Sequence, residues 1–219
     1  MVILSVLEIL KSENCKYLSD MNYSKCLLLL SLIVLFQNCQ PEEKHTSDLT
    51  LHPVSVADFQ EFVEATNYIT DAEKYSWSIF QLDVYNFTVR QDANWRKPDS
   101  INIPAANLPV TQVSFNDAQA YCNWAKVRLP TYDEYWDFTK NDIRKVNTDN
   151  IASIAPVDSV NVIGNVWEIT TTEDNNNQVR LAGGSLFCSE NTCYGVQKDR
   201  VLHVDKETGN VHIGFAIVK

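Results

Sequence analysis

The stretch that decides the fold runs Val113-Ser114-Phe115-Asn116-Asp117-Ala118-Gln119-Ala120-Tyr121-Cys122-Asn123-Trp124-Ala125. Ser114 followed three residues later by an acid is a helix start, because the hydroxyl accepts from the backbone N–H three residues on while the carboxylate reaches back to the cap. Ala118, Tyr121, Cys122 and Ala125 then fall at three- and four-residue spacing, which places them on one face of a helix running to about Ala125. Upstream, Ser55-Val56-Ala57-Asp58 repeats the signal ahead of Val56, Phe59, Phe62 and Val63, predicting a helix over about 55–65. Downstream, Thr131-Tyr132-Asp133-Glu134 follows Pro130 and opens a third, short helix carrying Tyr135, Trp136 and Phe138. Short strands are expected at 80–89, 179–182 and 211–218, with long irregular stretches between them. The fold class is therefore α+β with few short helices and strands and much irregular structure.

Composition narrows the function. The chain has 219 residues, Lys+Arg 18 against Asp+Glu 28, and a net charge of -10. That acidic balance, with no run of Lys or Arg, argues against nucleic acid as a partner. All six glycines lie after residue 163, so tight backbone geometry, and with it the site, is expected in the C-terminal quarter. There is no G-x-G-x-x-G, no G-x-x-x-x-G-K-[ST] and no G-x-S-x-G, which removes the usual support for nucleotide and serine-hydrolase chemistry. His45, His52, His203 and His212 show no H-x-x-x-H or H-x-H spacing, so a histidine metal centre is not expected.

The N-terminal region reads as a targeting signal. Leu27 to Phe36, LLLLSLIVLF, has the length of a signal-peptide apolar core and falls short of the ~20 residues a spanning helix needs. Met21-Asn22-Tyr23-Ser24-Lys25 supplies a short positive segment before it, which makes Met21 the expected start. The run ends at Gln37-Asn38-Cys39 and is followed by polar residues, a pattern similar to a bacterial lipoprotein signal whose Cys39 takes the lipid; ordinary cleavage and release is the alternative. The expected organisation is an extension and signal over 1–38, a polar tether over 39–52 and a folded domain over 53–219. Export as a membrane-anchored bacterial lipoprotein, on the periplasmic or outer-membrane face, follows. The folded domain then retains Cys122, Cys188 and Cys193, an odd number that allows one disulfide and one leftover thiol.

Two segments carry chemistry. In Asn161-Val162-Ile163-Gly164-Asn165-Val166-Trp167-Glu168, two side-chain oxygens flank a backbone able to turn carbonyls inward, which suits Ca²⁺. On spacing alone, a turn into a strand with Trp167 in the core is the better account. In Gly183-Gly184-Ser185-Leu186-Phe187-Cys188-Ser189-Glu190-Asn191-Thr192-Cys193, two thiolates would suit Cu(I). On spacing alone, a disulfide closing a small loop is the better account.

The order of segments changes both balances. Val54-Ser55-Val56-Ala57-Asp58-Phe59 and Thr66-Asn67-Tyr68-Ile69-Thr70-Asp71-Ala72-Glu73-Lys74 come first, then Ala93-Asn94-Trp95-Arg96, Leu108-Pro109-Val110, Val113 to Ala118, and Arg128-Leu129-Pro130-Thr131. Gly164-Asn165-Val166-Trp167-Glu168, Gly183-Gly184-Ser185 and Ile213-Gly214-Phe215 close the series. This order resembles the formylglycine-generating enzyme family, also called the sulfatase-modifying factor domain, over about residues 54–218.

The resemblance implies a fold distantly similar to C-type lectin domains and held partly by Ca²⁺. It implies that Cys188 and Cys193 hold Cu(I), with Ser185 beside the reacting site. It also implies that Asn161 and Glu168 by side chain, and Gly164 and Val166 by carbonyl, hold Ca²⁺. Catalytic members bind the cysteine of a sulfatase C-x-P-x-R segment and oxidise it with O₂ to formylglycine. Three departures from the family pattern stand out: the stretch between Glu134 and Asn161 is short, only Tyr194 matches after Cys193, and the terminal Gly-Phe-Arg is Gly214-Phe215-Ala216. They keep a second function open, a non-catalytic surface lipoprotein serving as a structural or binding part of gliding or secretion machinery.

Overall fold

In the computed structural model, residues 49–83, 86–142, 154–158, 162–174, 177–188 and 197–219 are described. Among them, every helix starts with one device. Helix α1 (Val56–Thr66) is capped by Ser55 with Asp58, α2 (Asp71–Tyr75) by Thr70 with Glu73, α3 (Phe115–Ala125) by Ser114 with Asp117, and α4 (Tyr132–Phe138) by Thr131 with Glu134. In each the hydroxyl accepts from the backbone N–H three residues on, and the acid accepts from the cap's own N–H, which satisfies two otherwise orphaned donors. α1 ends at Asn67, whose left-handed backbone (φ 54°) turns its N–H onto the Val63 carbonyl at 2.8 Å.

The strands are short and pair over long distances. β1 (Leu51–Pro53) pairs antiparallel with β8 (Ala216–Val218). Leu51 and His52, expected in a tether, are thus already part of the folded unit. β2 (Trp77–Gln81) and β3 (Phe87–Gln91) form a hairpin, so the single strand expected over 80–89 is in fact the end of one strand, a turn and the start of the next. The remaining sheet has the order β6-β5-β4-β7, built from β4 (Trp167–Glu173), β5 (Val179–Ala182), β6 (Leu202–Val204) and β7 (Ile213–Gly214). β4 runs parallel to β7 and antiparallel to β5. The expected strand over 211–218 divides into β7 and β8 at Phe215.

Phe59 centres the core. Its ring meets Phe62, Trp95, Tyr121 and Phe215 at centroid distances of 5.4, 5.3, 6.1 and 6.2 Å. These contacts join α1, α3, the Trp95 segment and the β7–β8 link, and each such aromatic pair adds roughly 0.5–1.5 kcal/mol beyond its burial. α1 and α3 pack on each other, while α4 packs on β4 and β5 of the mixed sheet. No helix among the described residues is long and apolar enough to cross a membrane.

Candidate functional site

The site is built where two glycine turns meet at the start of β4. Gly164 adopts a left-handed backbone (φ 86°), and its N–H donates to the carbonyl of Gly183 at 2.9 Å. Gly183 and Gly184 are left-handed as well, at φ 86° and 72°. A side chain at Gly183 would run into the Tyr135 hydroxyl, so the position needs glycine for space as well as for conformation. The N–H of Leu186 donates to the Asn165 carbonyl at 3.0 Å. Asn165 also clasps Ala155 through its side chain, accepting from Ala155 N at 2.8 Å and donating to its carbonyl at 2.9 Å. The two segments read from sequence as carrying chemistry are thus bolted to each other.

Within the second turn, Ser185 and Cys188 form one unit. The Cys188 N–H donates to the Ser185 carbonyl at 2.8 Å, the Ser185 N–H points at Cys188 Sγ at 3.4 Å, and the Phe187 N–H donates to Ser185 Oγ at 3.3 Å. Both side chains are buried. Cys188 is disulfide-bonded, so in this form it offers no thiolate to a soft metal. Cys193, Asn161 and Cys39 lie outside the described residues.

Glu168 stands at the centre of the sheet, in register with Ala182 on one side and Gly214 on the other. It is 1% exposed, and its Oε2 has no hydrogen-bond partner. Burial pushes its carboxyl up to about 8. An ionised carboxylate this deep needs a countercharge or donors. A hard cation held by Glu168, with carbonyls of the Gly164 turn, answers that need, so these residues fit Ca²⁺. Among the described residues no three His, Cys, Asp or Glu side chains converge as a metal cluster.

His212, which carries no signal in the sequence, belongs to the same region. It is 6% exposed, its carbonyl accepts the Trp167 N–H at 2.8 Å, and its ring meets the edge of Phe187 at 4.0 Å. Burial lowers its pKa to about 4, so the imidazole is neutral at neutral pH. Spacing rules fail to find it because what makes it notable is burial beside the Cys188 turn, a long-range property.

A fold of short capped helices and a small mixed sheet, with a buried serine–cysteine turn beside a buried acid, defines a class that comparison with known proteins makes specific. Residues 41–141 match the model of the sulfatase-modifying factor enzyme 1-like domain. The formylglycine-generating enzyme of Mus musculus is 29% identical over 65% of this chain and 58% of its own length, and that of Mycobacterium tuberculosis is 26% identical over 76% and 85%. The inactive Cα-formylglycine-generating enzyme 2 of Mus musculus is 35% identical over 41% of this chain and 36% of its own. Among solved structures, PvdO from Pseudomonas aeruginosa superimposes with a TM-score of 0.54 at 11% identity, covering 76% of this chain and 77% of that one, a likeness of fold. Over residues 41–141, and in the stretches these relatives match, the chain is similar to the formylglycine-generating enzyme family. It spans 58% of the mouse enzyme and 57% of the bovine one, and the domain match ends at 141, before Glu168, Ser185 and Cys188.

Proposed function

We propose that this protein is a formylglycine-generating oxidase acting on the cysteine of a C-x-P-x-R polypeptide, with Cys188 and Cys193 holding Cu(I). The observation that carries the reading is the buried Ser185–Cys188 turn, in which the Ser185 N–H points at Cys188 Sγ and the Phe187 N–H donates to Ser185 Oγ. The overall step balances as cysteine plus O₂, two electrons and two protons from an external thiol, giving the aldehyde, hydrogen sulfide and water. Copper, when bound, supplies the O₂ chemistry. The chain's own part is to hold Cys188 away from water and to set Ser185 beside the reacting sulfur. The thiol that completes the balance also reduces the Cys188 disulfide, without which no thiolate is available.

Around that centre, the reading places Ca²⁺ on Asn161, Gly164, Val166 and Glu168, and a lipid on Cys39 that holds the exported protein at a membrane. The orphaned Glu168 oxygen supports the first. The apolar run ending at Cys39 supports the second.

The test is copper titration after mild reduction, followed by mass spectrometry of a C-x-P-x-R peptide incubated with O₂ and thiol. One Cu(I) per chain and a formylglycine product, both lost in Cys188→Ser, are expected. A reduced protein that takes up no Cu(I) overturns the oxidase.

A second reading, a non-catalytic surface lipoprotein with the same fold, is favoured by the Cys188 disulfide and by Ala216 where the family pattern has arginine. One of the relatives this chain resembles bears the name inactive. Under this reading Cys188→Ser lowers stability by roughly 2–4 kcal/mol and removes no activity.

A further inference from the structure

Along the β2–β3 hairpin, pairs that exchange main-chain bonds alternate with pairs that do not, and the two ends fix which are which. The Leu82 N–H donates to the Asn86 carbonyl at 2.8 Å, and the Asp92 N–H donates to the Ser76 carbonyl at 2.9 Å. With the register running from Trp77 opposite Gln91 to Gln81 opposite Phe87, Thr88 and Arg90 are then the β3 residues that bond to β2. The N–H and C=O groups of Phe87, Val89 and Gln91 point the other way, out of the hairpin.

The two outer edges differ. That of β2 is closed, because the Ile79 N–H donates to the Gly209 carbonyl at 3.4 Å and the Val211 N–H donates to the Ile79 carbonyl at 3.3 Å. That of β3 is open. Among the described residues no backbone group meets Phe87, Val89 or Gln91 there, and the Val89 carbonyl has only the Thr88 hydroxyl beside it at 3.4 Å. Natural sheets blunt such an edge with lysine, proline or a bulge. Phe87-Thr88-Val89-Arg90-Gln91 has none of these, and Phe, Thr and Val favour a strand.

Another strand completes an open edge, and the sequence of β3 matches itself. A two-fold axis through Val89 sets two copies antiparallel, with Val89 on Val89 and Phe87 on Gln91, so every outward residue both donates and accepts. The side chains agree with that register. Phe87 of each copy falls diagonally beside Val89 of the other, within reach of an aromatic ring, and these side chains are 57% and 56% exposed in the single chain. On the opposite face Arg90 comes opposite Thr88 and Asp92 opposite Asn86, so no like charges are directly opposed. The Arg90 guanidinium is already turned onto its own chain, 4.0 Å from the centre of the Phe80 ring and donating to the Asp99 carbonyl at 2.8 Å. An axis at Arg90 instead sets arginine on arginine, which like-charge repulsion disfavours. An axis at Thr88 leaves Gln91 of each copy beyond the other's β3.

We propose that two copies of this chain join through β3 into one antiparallel sheet of order β2-β3-β3-β2. The contact is small, so a reversible dimer with a Kd of roughly 1–100 μM is expected. It depends neither on the oxidase reading nor on the state of Cys188.

Disulfide trapping on the full chain in detergent tests the register covalently. Bonded partners across an antiparallel ladder have Cα atoms about 5.5 Å apart, within disulfide reach. Under mild oxidation at about 100 μM, Val89→Cys is expected to run as a covalent dimer on a non-reducing gel where the wild type, with the same other cysteines, does not. Phe87→Cys alone is expected to stay single, and a mixture of Phe87→Cys and Gln91→Cys to give the dimer. Sedimentation velocity reads the affinity. The wild type is expected to pass from monomer to dimer between about 1 and 300 μM. Val89→Lys places two ammonium groups on the axis from an exposed position, and Val89→Pro removes an N–H that β2 does not use. Each is expected to weaken the dimer at least about tenfold, with the melting temperature of the monomer unchanged for Val89→Lys. Equal trapping at Phe87 and Val89, or a dimer that survives Val89→Lys, overturns the proposal. So does a wild type that is monomeric at about 300 μM, which leaves the open edge to a strand of a different chain.

Discussion

Tyr68 donates its phenolic hydrogen to Asp117 Oδ1 at 3.0 Å across 49 residues of chain, and the same oxygen accepts the backbone N–H of Asp71 at 3.1 Å. Asp117 is thus both the third residue of the α3 capping box and the post on which the α1–α2 connection hangs. A residue whose role reads as purely local from the sequence holds together two parts of the fold.

Removing that post has a predictable cost. Asp117→Ala strips a cap and leaves the Tyr68 hydroxyl and the Asp71 N–H without their acceptor, so a loss of roughly 2–4 kcal/mol is expected in urea denaturation. Burial, with the Asp71 charge adding to it against the Ser114 N–H bond, raises the Asp117 carboxyl to about 6. A carboxyl whose folded pKa is raised contributes stability that is complete below its unfolded value of about 3.8 and lost as pH climbs through about 6. Asp71 works the other way. Burial would raise it, but the bonds from Lys74, Ser114 and Asn116 win and lower it, so its contribution is lost only in acid below the ordinary carboxylate range. Glu168 and His212 titrate across the same window with opposite signs, so the readout is the difference between two proteins: the wild type is expected to lose stability relative to Asp117→Asn as pH climbs from 4 to about 6.5. Melting curves of the two proteins that stay parallel across this window count against the assignment.

Gly183→Ala tests the meeting of the two turns. The new methyl group meets the Tyr135 hydroxyl and forces a left-handed alanine at φ 86°. A loss of about 2–4 kcal/mol is expected. Adding Tyr135→Phe is expected to return part of it, because the hydroxyl oxygen is the nearest obstacle. If the double variant is no better than the single, the strain lies in the backbone alone.

What the sequence discloses depends on range. The boxes at Ser55, Ser114 and Thr131 are local chemistry, and the three helices start where those residues predict. The same box at Thr70 is passed over because α2 is a helix of 5 residues, too short to show an apolar period. β4 shows only its start in the sequence, as the turn into a strand carrying Trp167, and not its length. Trp167, Glu168, Ile169 and Thr170 are all buried, so the alternation that marks a half-exposed strand is absent. The serine–cysteine turn is legible as a motif. The register that sets Glu168 between Ala182 and Gly214, and the packing that buries His212, join segments tens of residues apart and leave no trace in local spacing.

Cys39 tests the export reading directly. Cys39→Ser in a bacterial host is expected to move the protein from the membrane fraction to the soluble one, since a diacylated cysteine supplies the anchoring energy that a bare polar tether lacks. Mass spectrometry of the mature N-terminus checks the same point. Unchanged membrane association after Cys39→Ser rules out the lipid anchor.

Glu168 offers the clearest separation between a metal ligand and a core residue. If the buried carboxylate holds Ca²⁺, the cation stabilises the folded state by mass action, by roughly 2.7 kcal/mol at a free concentration a hundredfold above Kd. The melting temperature is then expected to rise with added Ca²⁺ and to fall in chelator. Glu168→Gln keeps the volume and removes the charge, so it is expected to abolish that response. In chelator the same variant is expected to match or exceed the wild type, because the amide replaces a carboxyl that lacks a partner for Oε2. A purely structural glutamate predicts the opposite pattern, with no calcium response in the wild type and a loss on substitution in every buffer. Scanning calorimetry of both proteins, with chelator and with Ca²⁺, yields four melting temperatures. A wild type that melts at the same temperature in both buffers removes calcium from this site.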